Sequence, residues 1–167
     1  KEKDGKINLC EFDNIKDEIK IPEKMCLRYN PGGVFKLGND IMDNPKDAKY
    51  GMTKDQIIEA IIKLQKLGVK EFGIHSFIAS NTVTNEYYPY IARMIFELIL
   101  EVKEKVDVNF TFVNLSGGIG VPYKPEQEKN DIKKISEGVK KAYDELIKNN
   151  GLELAIYTEL GRYMLAP

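Results

Sequence analysis

The sequence predicts an α/β fold, and within that class a partial (β/α)8 barrel of about five parallel strands with flanking helices. Short apolar runs alternate with longer amphipathic ones, which is the signature of parallel βα units. The strand candidates also have unequal faces, one apolar and the other polar toward its C-terminal end. A doubly wound sheet carries helices on both faces and should be apolar on both, so the barrel is favoured. At 167 residues the chain falls short of the ~250 typical of eight βα units, so a barrel here is part of one.

In chain order, residues 7–12 read as a strand and residues 13–19 as a charged helical segment. Pro22 punctuates, and residues 25–29 form the next strand. Residues 30–51 are a long loop holding Pro31, Pro45, Gly32, Gly33 and Gly38, of a length usually kept for function. Thr53 then opens a helix, with Gln56 completing a capping box. Its apolar stripe is Ile57, Ile58, Ile61, Ile62 and Leu64, and Gly68 stops it.

Residues 71–78 are a strand, followed by a helix over 85–105 that tolerates Pro89 only in its first turn. The stripe Ile91, Met94, Ile95, Leu98, Ile99 and Val102 faces its core. Residues 110–115 are a strand, and 127–149 a helix using Ile132, Ile135, Val139, Ala142, Leu146 and Ile147. Asn150-Gly151 ends that helix before the final strand, 152–157.

Composition excludes several functions. The net charge of −1 offers no general attraction for nucleic acid or an anionic membrane. The apolar run 91–102 is too short to span a bilayer, and the charged first twenty residues do not resemble a signal peptide, so a cytoplasmic protein is expected. Cys10 and Cys26 fall in different strands without a CxxC, so reduced thiols are expected. One histidine and two scattered cysteines make no metal-ligand set, and Ser76 and His75 point to opposite faces, which defeats a Ser-His-acid triad.

Strand parity gathers Arg28, Asn30, His75, Asn114, Ser116 and Glu159 at the C-terminal mouth, where α/β folds keep their ligands. Ser116-Gly117-Gly118-Ile119-Gly120 offers amides to an anion, although a lone GGxG is more often a plain tight turn. Glu159 suits a ligand nitrogen and Arg162 a phosphate or carboxylate, but the two could also simply pair with each other. Arg28 has an interior ion pair as an equal alternative, and a lone strand histidine such as His75 is more often structural than catalytic.

Taken in order, Leu27-Arg28-Tyr29-Asn30-Pro31, Ala48-Lys49-Tyr50-Gly51, Gly73-Ile74-His75 through Ser80-Asn81, the stretch from Asn114 through Ser116-Gly117-Gly118-Ile119-Gly120 to Val121-Pro122-Tyr123, and Glu159-Leu160-Gly161-Arg162-Tyr163 resemble diaminopimelate decarboxylase, an alanine-racemase-like enzyme expected here as fold-type IV. The resemblance implies pyridoxal 5'-phosphate (PLP) as cofactor, with residues 1–167 forming the C-terminal part of the PLP-binding barrel. It implies that Glu159 holds the pyridine nitrogen protonated, that Gly117, Gly118 and Gly120 with Ser80 and Ser116 surround the phosphate, and that Arg162 binds phosphate or the substrate's distal carboxylate. Arg28 supports the ring-facing acid, His75 joins Glu159 as a catalytic candidate, and Phe77 stands where the family usually stacks a histidine on the ring.

The implied reaction is conversion of meso-diaminopimelate to lysine and CO2, by a homodimer. A sister decarboxylase for ornithine, arginine or a carboxylated polyamine, or a non-catalytic PLP-binding protein, is the alternative. The resemblance places the cofactor lysine on an early barrel strand before Lys6, and a C-terminal β-domain after Pro167. The two open sheet edges are expected to pair with another chain or with further residues.

Overall fold

The computed structural model describes residues 20–33, 46–47 and 50–166. The strand predicted over 7–12, the helical segment over 13–19, Cys10 and most of the 30–51 loop lie outside the described residues. Within them, four parallel strands alternate with helices: β1 (Lys24–Arg28), α1 (Lys54–Lys66), β2 (Glu71–His75), α2 (Tyr87–Lys103), β3 (Phe110–Asn114), α3 (Ile132–Leu146), a 3-10 turn (Lys148–Asn150), β4 (Ala155–Tyr157) and α4 (Gly161–Leu165).

The strand order is β1-β2-β3-β4, every pair parallel. Each crossover moves one strand along in the same direction, as in a barrel wall. A doubly wound sheet would reverse its order at a switch point. One apolar cluster takes Leu27, Phe72, Ile74 and Val113 from the strands, Leu154 from just before β4, and Ile57, Ile91, Ile95 and Ile135 from the helices. The faces predicted from parity are therefore the faces formed, with Leu27, Ile74, Val113 and Leu115 buried against helices.

The opposite face is filled in its lower half by Phe112. A Cβ added to Gly73 would fall 2.3 Å from Phe112 Cζ, so the glycine is what lets that ring lie across β2. The Lys24 ammonium, itself paired with Glu71 at 2.7 Å, lies 5.7 Å from the same ring. The upper half of this face, carrying Arg28, His75 and Asn114, is half-buried, with the Tyr157 ring edge-on to Phe112 beside Asn114.

Local signals explain most element ends. Thr53 and Gln56 form the capping box: Thr53 N–H donates to Gln56 Oε1 at 2.9 Å, and Gln56 N–H to Thr53 Oγ1 at 3.4 Å. The third helix begins at Ile132, not near Gln127. Asp131 caps it, while the Gln127 side chain accepts the N–H groups of Tyr123 and Lys124 and so organises the preceding loop. The last strand begins at Ala155, not Leu152. The Tyr143 hydroxyl accepts Leu154 N–H at 3.0 Å and donates to its carbonyl at 3.3 Å, replacing the ladder there.

Strand β2 stops at His75, before the expected Ile78. Ser76 Oγ donates to Tyr29 O, and Phe77 O accepts from Arg28. On the helix side, Ile135, Val139, Ile156 and Leu160 line an apolar groove of about 480 Å3, away from the polar face. No described helix is long and apolar enough to cross a membrane.

Candidate active site at the carboxyl ends of the strands

The site is built where backbone pairing runs past the ends of the strands. Leu115 N–H donates to Tyr157 O at 2.9 Å, and Glu159 N–H to Ser116 O at 2.8 Å. This extension sets Glu159 beside the turn that follows β3. Ser116 adopts φ 60°, a left-handed conformation unusual for a non-glycine residue. Its buried carbonyl also accepts the Tyr88 hydroxyl.

The glycines after Ser116 are required by close approaches. A Cβ on Gly117 would lie 2.8 Å from the Glu159 carbonyl oxygen and 4.0 Å from the Phe77 ring. Gly118 has φ +112°, and a Cβ there would meet the Tyr87 ring at 2.5 Å and Ala79 O at 2.8 Å. Among the described residues, the N–H groups of Gly117 and Gly118 have no hydrogen-bond acceptor. Gly120 differs, since its N–H donates to Thr82 O at 2.8 Å and a Cβ would collide with Asn81. Gly120 therefore closes the loop and does not offer its amide to a phosphate.

Thr82 clasps the loops after β2 and β3 together. Its N–H and hydroxyl both donate to Gly118 O, at 2.8 and 2.9 Å. Asn130 Nδ2 donates to Thr82 O and Gly120 O, each at 2.9 Å. Ser80 and Asn81 lie in the first of these loops, so the clasp holds them near the glycine turn. Sequence reading missed the clasp, because Thr82 and Asn130 carry no motif and meet only through the fold.

The charged groups are arranged as follows. Glu159 Oε1 accepts Asn114 Nδ2 at 2.7 Å. Among the described residues, the alternative Glu159–Arg162 pair does not form, and Arg162 Nη1 instead donates to the Tyr123 hydroxyl at 2.7 Å. Arg28 has no carboxylate partner among the described residues: Nη2 donates to Phe77 O at 3.1 Å, with its guanidinium near the Tyr50 and Phe77 rings. This tie fixes the backbone that carries Phe77. Cys26 is a free thiol on the same face; although the residue is exposed, partial desolvation against the sheet and then the Glu159 charge push it up to about 11. Among the described residues no group of three or more His, Cys, Asp or Glu side chains could hold a metal ion.

Burial, then the Arg28 charge, holds His75 below its usual 6.5, with Glu159 opposing. The folded chain binds this proton less tightly than the unfolded one. The stability carried by neutral His75 is therefore complete above about pH 6.5 and declines as pH falls toward the folded value. His75 is the chain's single histidine, so its imidazole signals stand alone in an NMR titration. The expected midpoint lies below 6.5, and one at or above 6.5 would mean that burial does not dominate.

These features are a carboxylate with one oxygen fixed, a glycine cradle pressed against its backbone, and an aromatic ring beside the cradle. They fit a flat cofactor with a phosphate at one end and a basic ring nitrogen at the other. Comparison with known proteins agrees: the pyridoxal-binding domain of the pyridoxal-dependent decarboxylases matches residues 7–166. The chain belongs to this family.

Diaminopimelate decarboxylase of Thermoplasma acidophilum is 29% identical over 140 residues, covering 83% of this chain and 34% of the relative. Protein TabA of Pseudomonas amygdali pv. tabaci is 24% identical over 153 residues, covering 92% and 36%. The chain thus spans about a third of the length of these relatives. Diaminopimelate decarboxylase from Helicobacter pylori, solved in complex with L-lysine, superposes with TM-score 0.70 at 21% identity, covering 91% of this chain and 37% of that one. Lysine decarboxylase from Selenomonas ruminantium superposes with TM-score 0.67 at 21% identity, covering 93% and 37%. Both structures bear on the fold alone, and both support a partial barrel. The family is fold-type III among PLP enzymes, which corrects the type IV expected from the motifs.

Proposed function

We propose that this chain forms the cofactor-holding later strands of a PLP-dependent decarboxylase that converts meso-diaminopimelate to L-lysine and CO2. The observation that carries the reading is the Glu159 carboxylate, fixed by Asn114 at the strand mouth beside Gly117. Bound PLP supplies an electron sink for the bond that breaks as CO2 leaves. In this reading Glu159 holds a proton on the pyridine nitrogen, so that the ring can accept those electrons. Gly117 and Gly118 donate amides to the phosphate, Ser80 and Ser116 complete that wall, and Gly120 keeps the loop closed. Phe77 stacks on the ring as a neutral aromatic, its backbone tied by Arg28.

His75, on the same strand face as this acid and kept uncharged by burial, is the second catalytic candidate of this reading. Arg162, presented by Tyr123, supplies a cation for a second carboxylate. That charge favours a diacid over ornithine or arginine. A cytoplasmic homodimer is part of the same proposal.

The test is CO2 release by the full-length protein loaded with PLP, offered meso-diaminopimelate, ornithine and arginine separately. Release from diaminopimelate is expected. Release from ornithine or arginine alone would reassign the substrate, and failure to take up PLP would end the reading. The 167-residue chain alone is expected to be silent. Among the described residues, the lysine on the inner strand face is Lys24, paired with Glu71 at the lower end of β1. It stands about 13 Å along the strand from the level of Arg28. CO2 release by the isolated chain would refute this.

A further inference from the structure

Asn114 closes a ring of three hydrogen bonds around the proposed site. Its Nδ2 donates to Glu159 Oε1 at 2.7 Å, Glu159 N–H donates to Ser116 O at 2.8 Å, and Ser116 N–H donates to Asn114 Oδ1 at 2.7 Å. The two ends of the amide cannot be exchanged. A backbone N–H can only donate, so it must meet the oxygen; a carboxylate can only accept, so it must meet the NH2. The left-handed turn at Ser116 aims that N–H back at the strand end, and Ser116 is 3% exposed, so the bond is not readily replaced by water. Asn114 thereby holds the Glu159 carboxylate directly, and holds Ser116, whose carbonyl fixes the Glu159 backbone.

We propose that Asn114 is a positioning residue that presents the Glu159 carboxylate to the cofactor ring in a single orientation, with one oxygen held and the other left for the ring nitrogen. The inference rests on reading Glu159 as the ring-nitrogen partner. Asn114 itself touches neither cofactor nor substrate in this scheme. The residue type is constrained accordingly. Aspartate keeps the acceptor for Ser116 N–H but loses the donor, and sets a second carboxylate against Glu159. Alanine loses both bonds and leaves a buried N–H unpaired.

The experiment measures PLP affinity, the absorption band of bound PLP and the melting temperature of the full-length holoprotein as wild type, N114D and N114A. The N114D variant is expected to bind PLP about tenfold or more weakly near neutral pH, the size of losing one hydrogen bond to a charged group. Its band should shift as the ring nitrogen loses its fixed partner. Because two facing carboxylates take up one proton readily, the N114D deficit should shrink toward about pH 5, while that of N114A should not. A merely structural role would lower the melting temperature of both variants and leave PLP affinity without this difference in pH dependence.

The double variant N114D/E159Q restores a hydrogen bond in reverse, from the amide introduced at position 159 to the carboxylate introduced at position 114. It should recover melting temperature but not the band. If N114D matches wild type in affinity and band between about pH 5 and 8, the positioning role is wrong while the reading of Glu159 stands. If wild-type protein takes up no PLP, both fall together.

Discussion

Replacing Glu159 with glutamine is expected to lower kcat for decarboxylation roughly 100-fold or more while leaving the melting temperature nearly unchanged. The magnitude is that typical of removing one group placed to stabilise charge developing in a transition state. The separation of the two effects follows from the contacts. A glutamine oxygen can still accept Asn114 Nδ2, now 2.7 Å from Glu159 Oε1, and the backbone bond to Ser116 O is untouched. Only the negative charge is lost. In the proposed role a neutral amide would not keep the pyridine nitrogen protonated, and the cofactor would be a weaker electron sink for the departing CO2. Steady-state CO2 release and thermal unfolding on the full-length protein check both halves. Activity close to that of wild type would remove Glu159 from the chemistry, and a large fall in melting temperature would make it a structural residue.

The fold was legible where a residue's neighbours in space are set by its own element's period. Ile57 and Ile61, one helical turn apart, are both fully buried, and alternating Phe72 and Ile74 are too. Parity also put Arg28, His75, Asn114 and Glu159 on one face of a sheet whose order proved sequential. What the sequence could not disclose are partnerships between distant segments. The proximity of Arg162 to Glu159 suggested an ion pair, but each found a partner far along the chain, in Tyr123, 39 residues away, and in Asn114, 45 residues away. The same applies to Thr82 and Gly118, and to the Tyr143 hydroxyl that shortens β4. The limit is physical: periodicity reports which face a side chain takes, whereas hydrogen-bond partners are chosen by tertiary packing.

Gly118→Ala is expected to destabilise the domain by about 3 kcal/mol and to weaken PLP binding by more than that loss alone explains. Two penalties act together at this residue. Its φ of +112° is a conformation that L side chains rarely adopt. An added Cβ would also meet the buried Tyr87 ring at 2.5 Å and the Ala79 carbonyl at 2.8 Å. The ring is held by its own bond to Ala79 O at 3.3 Å and lies in the core, so it cannot swing clear. The backbone must move instead. Gly118 O accepts both donors of Thr82, so movement here opens the clasp between the loops that follow β2 and β3. Gly151→Ala is the control, since it shares a positive φ of +69° but an added Cβ meets nothing within 4 Å. It carries the backbone penalty without the collision, and it lies outside the site. Denaturant unfolding and PLP titration of both variants should therefore show a smaller loss of stability and no loss of affinity for Gly151→Ala. Equal losses in the two variants would show that the close approach at Gly118 has no part in holding the cofactor.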